Sequence, residues 1–75
     1  MNIYIISNNN GRVLGACRND ERSLKIFIRG FLKEMGEDAD DGLLVNCQDK
    51  YAYPLHNPKF VFNYKETSFS ELFRN

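Results

Sequence analysis

A chain of 75 residues with ten basic and ten acidic side chains has a formal net charge of zero, which removes the general electrostatic argument for binding nucleic acid or an acidic membrane. A chain of this length forms one domain and buries only about 60% of the surface that its unfolded form exposes. We therefore expect residues 1–75 to form a single compact domain with a thin core, in which the six Phe and four Tyr supply much of the buried area.

The composition also restricts where the protein acts. No apolar run approaches the roughly 20 residues that a membrane helix needs, and Ile3–Ile6 is too short for the apolar segment of a signal peptide. The sequence therefore predicts a cytoplasmic protein. Cys17 and Cys47 could pair, but two cysteines do not make a disulfide scaffold, and in a reducing compartment we expect both to remain thiols.

The chain begins with a predicted β-hairpin. Asn2–Ser7 is β-branched and aromatic and is apolar on both faces, which predicts a buried interior strand. Asn10-Gly11 is a strong hairpin signal because both residues accept positive φ, and Arg12–Arg18 returns as the second strand. Within that strand, Gly15 either lets a bulky helix lie close to the sheet or marks a β-bulge.

The longest periodic segment, Asp20–Met35, predicts the main helix. Its apolar residues recur at helical spacing: Leu24, Phe27, Ile28, Phe31, Leu32 and Met35. Asn19 or Asp20 is expected to cap the start of the helix, and Gly36 is expected to end it. The apolar stripe should pack on one face of the sheet and form the centre of the core.

The second half of the chain predicts three more strands and a short helix. The expected strands are Leu43–Cys47, Tyr51–Tyr53 and Lys59–Tyr64. Pro54 stops the fourth strand and suits an edge position, because proline has no backbone donor. Thr67 or Ser68 should start a C-terminal helix, with Ser68 and Glu71 in capping-box spacing. The predicted fold is α+β, with a mostly antiparallel sheet of four to five strands in the order β-β-α-β-β-β-α.

The main helix carries a basic side opposite its apolar stripe. At about 100° per residue, that side presents Arg22, Lys25, Ile26, Arg29 and Lys33, which we call the basic face. Lys25 and Arg29, and Arg29 and Lys33, are like-charge i,i+4 pairs that each cost roughly 0.2 to 0.5 kcal/mol. The basic face could dock phosphate or an acidic protein, or it could be an ordinary solvated helix surface.

The segment that follows the helix is strongly acidic. Glu37, Asp38, Asp40 and Asp41 lie within Glu37–Gly42, which we call the acidic loop. It could contact a basic groove of a partner or only increase solubility. The calcium-loop pattern fails, because Ala39 and Gln48 stand where ligands are required, so we predict no metal.

The chain lacks the residue patterns of an active site. His56 is the only histidine, and both cysteines fall in predicted strands, where a buried structural thiol is the commoner outcome. No glycine-rich phosphate loop, paired-histidine metal site or serine elbow is present in the sequence. We therefore predict no enzymatic activity and no cofactor. Tyr51–Pro58, a proline-stiffened aromatic segment, could stack on bases, anchor a partner or pack at the sheet edge.

The opening Asn-Ile-Tyr-Ile-Ile-Ser-Asn-Asn-Asn-Gly-Arg-Val-Leu-Gly-Ala-Cys-Arg-Asn, followed by an amphipathic helix, resembles the hairpin-and-helix start of small accessory proteins of phages and mobile elements. The resemblance covers about the first half of the chain and assigns no site residues. It implies a compact protein that acts by binding a host protein, in some cases as an inhibitor of host defence.

Three hypotheses follow. The first is a non-enzymatic protein-binding module, a phage protein that modulates or inhibits a larger host protein, such as a defence component, through the basic face or the acidic loop. The second is nucleic-acid binding by the basic face, with Tyr51 or Tyr53 stacking on bases. The third is self-association, either between acidic loop and basic face or by pairing of Leu43–Cys47 across a two-fold axis if that strand lies at a sheet edge.

Overall fold

The structure is a computed structural model, and it describes residues 2–37 and 39–68. Within these residues the chain forms β1 (Asn2–Asn8), β2 (Val13–Arg18), α1 (Glu21–Glu34), β3 (Leu43–Asn46), β4 (Tyr51–Pro54) and β5 (Phe62–Ser68). The strands form one sheet in the order β2-β1-β5-β4-β3, and every neighbouring pair is antiparallel. The α+β class and the interior position of β1 are confirmed.

The β1–β2 hairpin closes where the Asn-Gly signal predicted. Gly11 has φ +84°, and its N–H donates to the carbonyl of Asn8 at 3.0 Å, while the N–H of Asn8 donates to the carbonyl of Arg12 at 2.9 Å. The Asn8 side-chain oxygen also accepts from the N–H groups of Asn10 and Arg12, both at 2.9 Å. The turn therefore bonds its own backbone groups and fixes the hairpin locally.

Both ends of α1 have the predicted caps. The Asp20 carboxylate accepts from the backbone N–H of Ser23 at 2.7 Å and from its hydroxyl at 3.0 Å. At the other end Gly36 has φ +81°, and its N–H donates to Lys33 O at 3.1 Å, while the N–H of Glu37 donates to Leu32 O at 2.9 Å. These two bonds form a Schellman motif, for which glycine is the favoured residue.

The apolar stripe of α1 packs on one face of the sheet. Leu24, Ile28 and Leu32 are fully buried, and Phe27 and Phe31 are half-buried against the same cluster. The sheet supplies the remainder of this cluster: Ile6, Leu43, Ala52, Phe62 and Tyr64. Met35 is 50% exposed, so its expected place in the stripe is wrong. It is the C-cap residue, where the chain turns away from the helix.

Gly15 serves both roles that the sequence left open. The pairing shifts from Ile6 opposite Gly15 to Ser7 opposite Val13, so Leu14 is an extra residue on β2 and forms a bulge. A Cβ atom on Gly15 would lie 2.7 Å from Cζ of Phe27. The bulge therefore brings Leu14 onto the core, and the missing side chain of Gly15 lets the Phe27 ring lie against the sheet.

The expected edge position of β4 is wrong. β4 lies between β3 and β5, and Pro54 is fully buried. Pro54 is tolerated because the β4–β5 pairing covers only Tyr51 and Ala52, so the ladder has ended before a donor at residue 54 would be needed. The edge strands are β2 and β3.

Only the expected start of the C-terminal helix lies within the described residues. Thr67 and Ser68 belong to β5 and pair with Ile3 and Asn2. Thr67 does not cap a helix, because the next residue, Ser68, is still in the extended strand. An N-cap residue is itself extended, as Asp20 is, so the strand conformation of Ser68 does not test the predicted cap there. The remainder of that prediction, including Glu71, lies outside the residues that the structure describes.

Candidate protein-binding surface

The basic face points away from the sheet, as the periodicity of α1 requires. Arg22, Arg29 and Lys33 are exposed or partly exposed, and Ile26, at the centre of the face, is 61% exposed. Gly30 lies beside it, and a Cβ at Gly30 would meet no atom within 4 Å. The result is an open helical surface with an apolar centre and cationic surroundings.

Most of the charge on this face forms no ion pair with the described residues. Lys25 lies 3.9 Å from the Glu21 carboxylate, with the two side chains 36% and 63% exposed. In the described residues, neither an ion pair nor a side-chain hydrogen bond involves Arg22, Arg29 or Lys33. Two of these three, Arg29 and Lys33, are also four residues apart and repel each other.

The basic face and the acidic loop meet at a groove. The groove has a volume of about 600 Å³ and is lined by Arg29, Lys33, Gly36, Glu37, Ala39 and Asp40. The Schellman turn produces this contact, because Gly36 reverses the chain directly after the last basic residue of α1. The two surfaces that the sequence singled out are therefore parts of one continuous surface, positive along α1 and negative at its end.

The acidic loop is anchored to the rest of the fold on its far side. The Glu37 carboxylate lies 3.3 Å from Nε2 of His56 in the β4–β5 connection, and the N–H of Gly42 donates to Ala39 O at 2.9 Å. Asp41 is exposed. Asp38, which was also predicted to contact a partner, lies outside the described residues.

Tyr51 and Tyr53 do not belong to the same surface as the basic face. Tyr51 pairs with Asn63, whereas the next residue, Ala52, pairs with Phe62 in the helix-side core. Because side chains alternate along a strand, both tyrosines lie on the sheet face opposite α1, where their rings stack with centroids 6.2 Å apart. The predicted nucleic-acid site combining these tyrosines with the basic face is not assembled.

A cluster of Tyr4, Tyr64 and Lys50 was not predicted from the sequence. The two ring centroids are 4.8 Å apart, and Nζ of Lys50 lies 5.8 Å from Tyr4 and 5.7 Å from Tyr64. Burial raises the pKa of both phenols, with the Glu66 carboxylate adding to the effect at Tyr4 and the neighbouring Tyr4 phenol at Tyr64. Lys50 has φ +60°, and no periodic pattern relates residues 4, 50 and 64.

The cysteines and the acidic side chains show neither an activated thiol nor a metal site in the described part of the chain. Both cysteines are free, with Cys17 partly buried and Cys47 exposed. Burial, and secondarily the Asp20 carboxylate, raises the pKa of the Cys17 thiol, which opposes formation of the reactive thiolate. Across residues 2–37 and 39–68, no three His, Cys, Asp or Glu side chains are grouped as a metal site requires.

The chain matches no known protein family, no curated protein and no solved structure. Among the described residues, no helix has the length and apolar character needed to span a membrane.

Proposed function

We propose that this chain is a small protein-binding module that acts in the cytoplasm and uses the basic face of α1 to bind an acidic surface of a larger protein. The observation that carries the proposal is the cluster of Arg22, Arg29 and Lys33 around an exposed Ile26. None of these three cations forms an ion pair with a carboxylate of the described residues. In a complex, carboxylates of the partner would relieve the repulsion between neighbouring cations.

Ile26 gives the contact its apolar centre. An exposed aliphatic side chain that is surrounded by cations can insert into a small apolar pocket, while the charged rim excludes water and fixes the register. The acidic loop, which adjoins the basic face across the groove, would meet a basic part of the same partner. This alternation of charge favours one orientation of the partner over others.

The resemblance of the first half of the chain to phage accessory proteins supports a role as a modulator or inhibitor of a host protein. A small domain that blocks a larger one needs a rigid surface more than it needs reactive groups. Here α1 is held rigid by three fully buried residues and by caps at both ends, so that little conformational entropy is lost when the basic face is covered.

The test compares wild-type protein with the Arg22→Glu/Arg29→Glu double variant. Both substitutions suit the helix, because a carboxylate near the N-terminus of a helix is favourable and a carboxylate at position 29 would attract Lys25 and Lys33. The matched control is Lys59→Glu/Lys65→Glu, which changes the net charge equally at two exposed positions outside α1. Proteins retained from nuclease-treated lysate of the source cell are identified by mass spectrometry, purified and titrated calorimetrically.

We expect to find a partner protein that binds the wild type and the control variant with similar affinity and binds the double variant at least about tenfold more weakly. The reason is that a desolvated charge contact is worth more than about 1 kcal/mol of binding free energy. Equal binding of all three proteins would refute the assignment of the basic face. Retention of proteins from a parallel untreated lysate, but not from the nuclease-treated one, would instead identify nucleic acid as the ligand.

A further inference from the structure

The second edge strand, β3, has neither a bulge nor a charged residue nor a proline. Its sequence, Leu43-Leu44-Val45-Asn46, has no charge and no proline. By contrast, the opposite edge, β2, has a bulge at Leu14 and ends at Arg18. Natural proteins use bulges, charges, prolines and very short strands to blunt exposed edges, so β3 is protected only by its four-residue length.

Two hydrogen bonds show which backbone groups of β3 point outward. The N–H of Leu55 donates to Gly42 O at 3.1 Å, and the N–H of Tyr64 donates to Lys50 O at 3.0 Å. Since bonded pairs alternate along an antiparallel ladder, the first bond means that the backbone N–H and C=O groups of Leu44 point towards β4. The second bond means that the backbone groups of Ala52 point towards β5. The two bonds agree, because Ala52 is opposite Val45 and the backbone groups of Val45 must then point away from β4.

The backbone N–H and C=O groups of Leu43 and Val45 therefore face away from the sheet. None of them has a hydrogen-bond partner among the described residues. The side chains of Leu43 and Val45 point to the core on the α1 side of the sheet, because side chains alternate along a strand and Leu44 points to the other face. Leu43 is 8% exposed. β3 is thus a well-packed strand whose open edge consists of two donors and two acceptors.

We propose that two copies of this chain associate through antiparallel pairing of their β3 strands about a two-fold axis at Leu44. In this register Leu43 of each copy faces Val45 of the other, and the pair of strands forms four backbone hydrogen bonds. Any other register that joins outward-facing groups would pair Leu43 or Val45 with a residue of the acidic loop or of the turn at residues 47–50. The axis at Leu44 is the one that uses only strand residues.

The side chains and charges fit this register. Leu44 is opposite Tyr53 on the sheet face away from α1, and the two Leu44 side chains would meet at the axis in a non-hydrogen-bonded pair, where side chains are closest. Antiparallel pairing places Asp41 of one copy about 20 Å from Asp41 of the other, at about 3.4 Å per residue. That separation exceeds the Debye length at physiological salt, so the two acidic loops do not repel each other. Each loop instead faces the turn at residues 47–50 of the other copy, which carries both Asp49 and Lys50.

The dimer would be independent of the contact made by α1. Phe27 packs over Gly15 of β2 and Phe31 over Phe62 of β5, so α1 lies over the other part of the sheet. Both basic faces therefore remain open, and the dimer could present two binding surfaces to a repeated or symmetric partner.

Sedimentation equilibrium of the full chain at about 10 to 500 µM tests the proposal, because a four-residue pairing forms a small interface of low affinity. We expect a monomer–dimer equilibrium that is the same in about 50 mM and about 500 mM salt. Val45→Pro removes an outward N–H without removing a β3–β4 bond and should weaken the dimer at least about tenfold.

Two further variants test whether misfolding, and not loss of strand pairing, explains a weaker dimer in Val45→Pro. Leu44→Lys should also dissociate the dimer by placing two ammonium groups at the axis, whereas Val13→Lys adds the same charge at an exposed site on β2, the other edge, and should leave the dimer unchanged. A monomer at every concentration, or a dimer that survives both β3 substitutions, would overturn the proposal. A dimer that dissociates as salt rises would also overturn it, in favour of contacts between basic face and acidic loop.

Discussion

At the scale of single residues, the Phe27 ring packs closely over Gly15. The virtual Cβ of Gly15 lies 2.7 Å from Cζ of Phe27, a distance that real side chains do not adopt. The sequence indicated that a small residue was useful here. It could not indicate that the bulge and the close approach occur together, because that depends on the register between β1 and β2.

Gly15→Ala should therefore destabilise the protein. The Phe27 ring must move away from the sheet, and overpacking of this kind typically costs about 1 to 2 kcal/mol of unfolding free energy. Urea unfolding followed by circular dichroism measures the change. Gly30→Ala is the matched control: it lies in open space within α1 and should raise stability by about 0.5 to 1 kcal/mol. Equal stability of Gly15→Ala and wild type would contradict the close packing.

At the scale of elements, local signals located the helix and the first hairpin well. Asp20, Gly36 and the Asn10-Gly11 turn form their bonds within a few residues, so their outcome hardly depends on the rest of the fold. The strand order could not be derived in the same way. Pro54 indicated an edge strand, but its position past the end of the β4–β5 ladder depends on pairing between distant segments.

The N-cap of α1 leads to a prediction about pH. Hydrogen bonds from Ser23 hold the pKa of the Asp20 carboxyl below its ordinary value of 3.8. A lowered pKa in the folded state means that the cap stabilises the protein fully above about pH 4 and that this stabilisation is lost as pH falls through the lowered pKa. Asp20→Ala should therefore melt at a lower temperature than wild type at about pH 7.

The difference between the two melting temperatures should shrink as the pH is lowered from about 5 to about 2, because wild type loses its cap while the variant has none to lose. Thermal unfolding across this range measures it. The Asp49→Ala variant, changed in the exposed turn at residues 47–50, controls for loss of one carboxylate. A difference that stays constant below about pH 4 would mean that the charge of Asp20 contributes nothing to the cap.

At the scale of the whole molecule, the sequence located the charged surfaces but not their arrangement. Helical periodicity was sufficient to place Arg22, Ile26, Arg29 and Lys33 on one side of α1, because that relation is local. The adjacency of the basic face and the acidic loop, and the separation of the basic face from Tyr51–Tyr53, depend on how the strands pair. This is why the prediction from the sequence, which combined Tyr51 or Tyr53 with the basic face in one site, was wrong.

The basic face is the proposed contact surface, and in the part of the chain that the structure describes most of its charge forms no ion pair. Such a surface costs stability in the isolated protein, because Arg29 repels both Lys25 and Lys33. Arg29→Glu converts these two repulsions into attractions and removes no described intramolecular ion pair or hydrogen bond of the Arg29 side chain.

The most direct measurement is the free energy of unfolding of Arg29→Glu in urea at low salt, with Lys59→Glu as the control of equal charge change. We expect Arg29→Glu to be more stable than wild type by about 0.5 kcal/mol, because the gain at Lys25 and Lys33 is partly offset by repulsion from Glu37 and Asp40, which line the same groove. We also expect the gain to diminish in high salt. A loss of stability in Arg29→Glu would contradict this expectation, because Arg29 would then be held by a partner within its own chain.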